Sequence, residues 1–412
     1  MTERACSRSD RPPGVPSAYA NGRRIAARID PAMTDLYIRH LSTADPAADR
    51  AVGAISHLSE AEIVPLVDAG LSGDDARLRA APEPLRDYFA AVPTTSPPWW
   101  DPDLVRAARA SFHGDAEVFM EAFFAATLRI AATRVSKSVA STGAVPSSHG
   151  VDRIRHSSHH LVETMLPGSL AAHRDGWKIC VHVRLVHAAT RRLLLARSGW
   201  DPDEHGAPIC AAHLALASAN YSAGLLDYVA LLGVPVDAAS RQGFIQIWRY
   251  VSILLGVPEE LLFDGDEARI RLYRRIAEHC EPRPGAEAIA VANSVVRILP
   301  DLLGQTDPRI RAATVRRTYR LMRALLGETT ADVLDFPQHR IPCSLSLRRA
   351  RQRLRALVHR LHPPSREAVR SRNLALLLEY AVLPSLSYRL PPIAPAAAPA
   401  DRDPFARPVP PR

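Results

Sequence analysis

The chain has 412 residues, of which 47% are hydrophobic and 23% are charged. This composition is typical of a globular protein with a sizeable core, and it excludes a largely disordered chain. The formal net charge is +9, yet Lys137 and Lys178 are the only lysines, so the basic character comes from arginine. Such an arginine bias reflects coding composition more often than a nucleic-acid interface, and we predict no nucleic-acid partner.

The two ends of the chain differ from its body. Residues 1–30 and 391–412 are rich in proline and in small or polar residues, which predicts tails without fixed structure around a body spanning residues 31–390. The N-terminal segment has no apolar run of the kind found in export signals, so we expect a cytoplasmic location. The five cysteines form no Cys-x-x-Cys pair, which argues against a disulfide framework and a cysteine zinc cluster.

Apolar residues in the body recur at the i, i+3, i+4, i+7 spacing of helices, and almost no segment alternates as a strand does. In chain order, the predicted helices span residues 104–130, 153–165, 181–197, 211–232, 241–255, 267–279, 287–303, 310–326, 345–361 and 367–383. Gly233 and Gly256, each followed by Val-Pro, are placed to end two of these helices. No long flexible linker divides the body, so the sequence predicts one large all-α domain.

The predicted helix over 181–197 carries three polar residues on an otherwise apolar side. Arg184, His187 and Arg191 fall within about 60° of one another around the helix axis. Burying a charge without a partner costs several kcal/mol, so an anionic or metallic partner is expected at this face. The simpler interpretation is that the arginines reach the surface while the histidine is hydrogen-bonded in the core.

A second polar face occurs upstream, in RIRHSSHH. Arg153, His156, Ser157 and His160 have the i, i+3, i+4, i+7 spacing and project from one side of a helix. Two helices that each offer an imidazole and an arginine could enclose a haem, since imidazole is a common axial ligand and arginine pairs with propionates. A non-haem metal site at His156 and His160 is the alternative. A di-iron bundle is disfavoured, because the Glu-x-x-His pairs that it needs are absent.

Two longer segments carry a family resemblance: VRLVHAATRRLLLARSGWDPDEHGAPI (183–209) and IWRYVSILLGVPEELL (247–262). They resemble the MpaB-like and rubber oxygenase (latex-clearing protein) family, and the similarity extends from about Pro97 to about Pro337. The resemblance implies an all-helical domain enclosing a pocket for one haem b. It also implies that His187 is the proximal iron ligand, between Arg184 and Arg191, which either pair with the propionates or orient the helix.

The distal side is where this chain departs from the rubber oxygenases, which carry an R-x-x-K-T segment there. Counting back the same distance from His187 reaches Arg153, His156 and Ser157. The arginine is kept, histidine replaces the lysine, and serine replaces the threonine while keeping a hydroxyl. The resemblance therefore implies haem-dependent oxygenase chemistry on a small apolar, unsaturated substrate with dioxygen, but not polyisoprene as that substrate.

Two other functions remain open at this point. If His156 and His187 both ligate iron, dioxygen has no coordination site, and a non-enzymatic bis-histidine haem protein for electron transfer or sensing results. If the histidines are structural, the chain is a cofactor-free helical scaffold. The basic segment 347–361 is predicted to be a solvated amphipathic helix, with peripheral contact to an anionic membrane surface as its alternative.

Overall fold

The computed structural model describes residues 14–141, 149–196, 199–339, 345–361 and 373. Within these ranges every regular element is helical, so the predicted all-α fold is confirmed. The α-helices are α1 (Ala20–Ala26), α2 (Pro31–His40), α3 (Pro46–Ile55), α4 (Glu60–Ser72), α5 (Asp75–Leu78), α6 (Glu83–Ala91), α7 (Pro102–Gly114), α8 (Ala116–Ala131), α9 (Val135–Ser141), α10 (His149–Met165), α11 (Asp175–Ala196), α12 (Pro202–His205), α13 (Ala211–Ala219), α14 (Leu225–Leu232), α15 (Ala238–Leu254), α16 (Glu267–Cys280), α17 (Ala286–Leu302), α18 (Pro308–Leu326), α19 (Glu328–Val333) and α20 (Leu345–Leu361).

Five helices (α2, α3, α7, α12 and α18) begin with the same dipeptide, an aspartate N-cap followed by proline. In each, the aspartate carboxylate accepts a hydrogen bond from a first-turn N–H group; Asp45, for example, accepts from Ala48. Proline suits the next position because its missing N–H would have had no partner inside the helix. Such a cap typically stabilises a helix by about 1 kcal/mol, so these dipeptides fix where the five helices start.

Two predicted helices are interrupted. The helix predicted over 104–130 breaks at Asp115, which has a non-helical conformation between α7 and α8. The helix predicted over 211–232 contains a π-helical turn, Asn220–Gly224, between α13 and α14. Gly233 ends α14 in the left-handed conformation, as predicted. The helix predicted over 367–383 lies outside the described residues, apart from Asn373.

The predicted N-terminal tail is too long. Residues 17–26 form a short 3-10 turn and α1, and the side chain of Tyr19 is fully buried. The proline-rich composition suggested a tail, but the apolar residues among these prolines pack against α13 and α16. The prediction is therefore wrong for residues 14–30, whereas residues 1–13 and the predicted tail 391–412 lie outside the described part.

The buried side chains form two clusters. The larger one joins α3, α4, α6, α7 and α8 to α10, α11, α14, α15 and α17–α19, and the smaller one joins α1 and α2 to α13, α16 and residues 257–263. The two helices with the predicted site residues, α10 and α11, both belong to the larger cluster. Among the described helices, none combines the length and the apolar character that crossing a bilayer requires.

A buried ion pair holds the smaller cluster together. The side chains of His213 and Glu281 are 5% and 4% exposed, and His213 Nε2 lies 3.0 Å from Glu281 Oε1. Tyr37 donates to the same carboxylate at 2.5 Å, the backbone N–H of Arg134 donates at 2.7 Å, and Tyr19 Oη lies 3.2 Å from His213 Nε2. Burial opposes both charges, yet Cys210 and Glu281 together raise the pKa of His213 well above its usual value, and the contacts with His213, the Arg134 N–H and Tyr37 lower the pKa of Glu281. The N-terminal segment is thus tied to α13 and α16 through charge-assisted hydrogen bonds.

Replacing Glu281 with glutamine is expected to destabilise the protein by about 3 kcal/mol, because it leaves His213 without its counter-charge. The Glu281 contribution is present above its unfolded pKa near 4.5 and is lost as pH falls, whereas the His213 contribution is present below about 6.5 and is lost as pH rises. The stability difference between wild type and E281Q in urea unfolding should therefore be largest between these pH values. Tyr37→Phe, which removes one hydrogen bond, should cost about 1.5 kcal/mol. A pH-independent difference for E281Q would contradict the charged pair.

Candidate functional site

Helices α10 and α11 contact each other directly. They are joined by residues 166–174, and His160 Nε2 of α10 lies 3.2 Å from Cys180 Sγ of α11. His187 follows Cys180 by seven residues, which places it about 20° around the axis and about 10 Å further along the helix. Helical spacing therefore places His187 on nearly the same side of α11 as Cys180, about two turns further from the link between the helices.

The two arginines of α11 are bound by carboxylates of the protein. Arg184 donates two hydrogen bonds to Asp45, at 2.6 and 3.0 Å, and its guanidinium lies 5.3 Å from the centroid of the Tyr88 ring. Arg191, only 2% exposed, donates from Nε to Asp49 at 2.9 Å and from Nη1 to the carbonyl oxygen of Ile209, also at 2.9 Å. These contacts fix α11 against α3, so the expected anionic partner is the first turn of α3.

Gly256 packs directly against the Arg184–Asp45 ion pair. It has φ +81°, and a Cβ atom there would lie 2.5 Å from both Arg184 Nε and Asp45 Oδ2. Burial alone would lower the pKa of Arg184, but the hydrogen bonds and charge of Asp45 raise it overall. Glycine is therefore required both by the backbone conformation and by the space that the ion pair fills.

The carboxylate partners of the arginines were not predicted from the sequence. Asp45 and Asp49 are about 6 Å apart along α3, whereas Arg184 and Arg191 are about 10 Å apart along α11, and the long arginine side chains span the difference. Nothing local, however, connects α3 to a helix about 140 residues downstream. The two signals that could have drawn attention to these carboxylates are the Asp-Pro helix start and the acidic residue one turn into α3.

His160 lies in an aromatic environment on the side of α10 that meets α11. Its ring packs edge-on against Trp248, with centroids 6.4 Å apart, and Trp248 stacks on Tyr221 at 5.3 Å. Burial lowers the pKa of His160 to about 4, so its imidazole is neutral at pH 7. Tyr221 belongs to the π-helical turn, and such turns are frequent at functional sites. These rings form an apolar wall beside the two predicted faces.

The indole N–H of Trp248 is a polar group that the described residues leave unsatisfied. The side chain is 3% exposed, and no described residue accepts a hydrogen bond from Nε1. A buried donor without an acceptor costs about 1–3 kcal/mol. Because Trp248 contacts His160, this donor lies beside the candidate site, where an acceptor atom of a ligand would satisfy it. A tryptophan in the middle of an apolar helix ordinarily has a packing role, and helical spacing does not distinguish this one.

The remaining predicted residues are partly accessible. His156 and Ser157 on α10 and His187 on α11 are half-buried, as are Val183 and Val186 near His187. The Arg153 side chain lies outside the described part of the structure. A cavity of about 570 Å³ lies along α17, where Asn293, Arg297 and Asp335 contribute to its lining, and none of the predicted site residues lines it.

These residues fit a haem in their imidazole donors and in their surroundings. His160 lies where α10 contacts α11, and the wall next to it combines aromatic rings with one unsatisfied N–H. Among the described residues, no group of three His, Cys, Asp or Glu has a metal-binding arrangement. A haem iron needs no such group, since the porphyrin supplies four of its ligands. The assignment of Arg184 and Arg191 to the propionates stays a prediction. In this structure Asp45 and Asp49 bind the two guanidiniums.

Comparison with known proteins bears on the fold and on the family. The family model "ER-bound oxygenase mpaB/B'/Rubber oxygenase, catalytic domain" matches residues 110–371. The chain belongs to this family. A solved structure of latex clearing protein LCP in the closed state has a similar fold, with a TM-score of 0.58 and 16% identity over 86% of this chain and 89% of that one. Comparison with curated proteins finds no match. The MpaB/rubber oxygenase membership indicates an oxygenase, and the resemblance first drawn from the two sequence segments is confirmed.

The role of the arginines can be tested through their carboxylates. If Arg184 acts by positioning α11, Asp45→Asn and Arg184→Gln should lower stability by a similar amount, about 2 kcal/mol or more, and should lower haem retention equally. The double variant should be no worse than either single one, which a double-mutant cycle in urea would measure. Asp35→Asn, which removes the exposed ion pair with Arg23, is the matched control and should change little. Loss of haem in the arginine variant alone would instead assign Arg184 to the cofactor.

Proposed function

We propose that this protein is a haem b-dependent oxygenase that acts with dioxygen on a small apolar, unsaturated substrate. The observation that carries the proposal is the contact between His160 and Cys180, because helical spacing puts His187 within about 20° of Cys180 around the axis of α11. Family membership supplies the reaction class, since the matched model is an oxygenase catalytic domain. The proposal adds the cofactor, its ligand and the class of substrate.

His187 is the proposed iron ligand. Its imidazole is half-buried, within about 20° of Cys180 around the helix axis, and in the sequence it lies between the two arginines that bind Asp45 and Asp49. A haem with one protein ligand supplies the site at which dioxygen binds and is activated. The two ion pairs prevent α11 from rotating or sliding on α3, so they hold the His187 imidazole in a constant direction.

The polar residues of α10 would contact the reactants. Ser157 offers a hydroxyl and His156 an imidazole from the half-buried part of α10, and both groups could donate a hydrogen bond to a reactant held beside them. His160 stays neutral at pH 7 and adds no charge to the wall. The apolar side chains of Val183 and Val186 near His187, and the aromatic rings beside His160, would favour an apolar substrate.

Polyisoprene is not part of the proposal. The solved structure with a similar fold is that of a protein named for clearing latex, but 16% identity supports a shared fold and nothing finer. The distal segment also differs, since histidine occupies the position where the rubber oxygenases carry lysine. A shorter and more rigid donor at this position favours a different substrate geometry.

Haem content tests the ligand assignment. Protein expressed with haem supply should bind about one haem per chain by pyridine haemochrome assay, and His187→Ala should lose most of it. His182→Ala is the matched control, because His182 is half-buried on the same helix but points about 140° away from His187. Full haem retention in H187A, with unchanged helical content, would refute the assignment.

The absorption spectrum separates the oxygenase from the bis-histidine alternative. A haem with one open position should bind CO in the ferrous state, and His156→Ala should leave the ferric spectrum largely unchanged. A six-coordinate low-spin spectrum that becomes high-spin in H156A would show that His156 ligates the iron. That result would favour electron transfer or sensing over oxygen chemistry.

A further inference from the structure

Helix α20 has a one-sided charge composition. Its 17 residues, LSLRRARQRLRALVHRL, include six arginines and no aspartate or glutamate. Such a helix carries a dense positive charge that its own side chains do not neutralise. Any surface that covers it must therefore be negatively charged or strongly hydrated.

One side of α20 is attached to the helical body. Arg348 forms an ion pair with Glu121 of α8, and Arg349 donates to the carbonyl oxygen of Leu231 at 3.0 Å. The backbone of α20 comes so close to Gly233 that a Cβ there would lie 2.7 Å from Arg349 Cα. These contacts orient the helix and determine which of its residues point outward.

The outward side carries an apolar stripe. Leu347, Leu354 and Leu361 repeat every seven residues and are 71%, 62% and 77% exposed, and Val358 is 46% exposed. With 100° per residue, these four side chains fall within about 60° around the axis, opposite the attached side. Three leucines this exposed on one helix are unusual for a surface that faces only water.

Arginines flank the stripe. Arg351 and Arg353 are exposed on its two sides, about 50° and 110° from the middle of the stripe around the helix axis, and their long side chains can extend toward the stripe from either side. This arrangement is that of interfacial helices, in which apolar residues enter the boundary of the acyl chains and cations contact lipid phosphates. The positive charge of α20 is attracted to an anionic surface and gains no such attraction from a neutral one.

We propose that α20 docks this protein on the surface of an anionic lipid bilayer. The apolar stripe Leu347–Leu354–Val358–Leu361 inserts at the level of the headgroups, and Arg351 and Arg353 bind lipid phosphates. A second copy of the chain is a poor occupant, because it would bring two helices with six arginines each into contact. A nucleic acid fits less well. Its phosphates would have to contact arginines at the outermost positions of the helix, and those positions are occupied by leucines.

Vesicle cosedimentation of the full chain tests the proposal. The protein should sediment with vesicles of phosphatidylcholine and phosphatidylglycerol, much less with phosphatidylcholine alone, and less as salt increases. The variant L347S/L354S/L361S should bind at least about tenfold more weakly because it loses the apolar stripe. The variant R351Q/R353Q should bind roughly twenty-five-fold more weakly, at about fivefold per arginine.

Matched substitutions elsewhere control for general effects. Leu303 and Ile310 are about half exposed outside α20, and the double variant L303S/I310S should leave vesicle binding unchanged. Arg309 and Arg316 are exposed on α18, and R309Q/R316Q should have a smaller effect than R351Q/R353Q. Haem content and thermal unfolding should be the same in all four variants, so the outcome does not depend on the proposed oxygenase activity.

Three outcomes would overturn the proposal. The first is an absence of binding to anionic vesicles at low salt. The second is vesicle binding that the leucine variant leaves intact while the arginine variant and added transfer RNA abolish it, which would indicate a nucleic-acid surface. The third is concentration-dependent dimerisation that only the leucine variant removes, which would indicate contact between two copies.

Discussion

The attachment of α11 to α3 through two arginine–carboxylate pairs is the constraint on which the candidate site depends. Arg184 binds Asp45 and Arg191 binds Asp49, so both ends of the segment containing His187 are fixed to one short helix. Asp45 also caps α3, which means that the same carboxylate sets where α3 begins and where α11 lies. A helix held at two points seven residues apart cannot turn its imidazole away without breaking a partly buried charge pair.

The fold was largely predictable from the sequence because the helical period extends over long segments. The bounds of α15 to α18 agree with the predicted helices to within a few residues, and family membership follows from the segments around His187 and Trp248. The short N-terminal helices were harder to predict. Their apolar residues are few, and the prolines that start α2 and α3 also suggest loops, so only tertiary packing distinguishes an ordered segment from a tail.

The site was predictable in its residues but not in its partners. Helical spacing alone placed Arg184, His187 and Arg191 on one side and predicted that an anion meets them. It could not show whether this anion is a cofactor or a protein carboxylate, because α3 and α11 are far apart in sequence. The contact between His160 and Cys180 was equally hidden, since it depends on how two helices cross. Local periodicity identifies which residues share a side, and only the packed structure shows what that side meets.

The pentapeptide LLGVP occurs twice, at residues 231–235 and 254–258, and each copy ends a helix with a glycine that packs against another helix. Both glycines have positive φ, and each lies against an arginine from a distant helix: Gly233 against Arg349 and Gly256 against Arg184. The first copy packs against the basic helix α20, and the second packs against the Arg184–Asp45 ion pair near His187. The same pentapeptide is thus used once at the surface of the protein and once in its interior. The two glycines lie in different contacts, so a larger side chain at Gly233 would displace α20, whereas one at Gly256 would displace the Arg184–Asp45 pair.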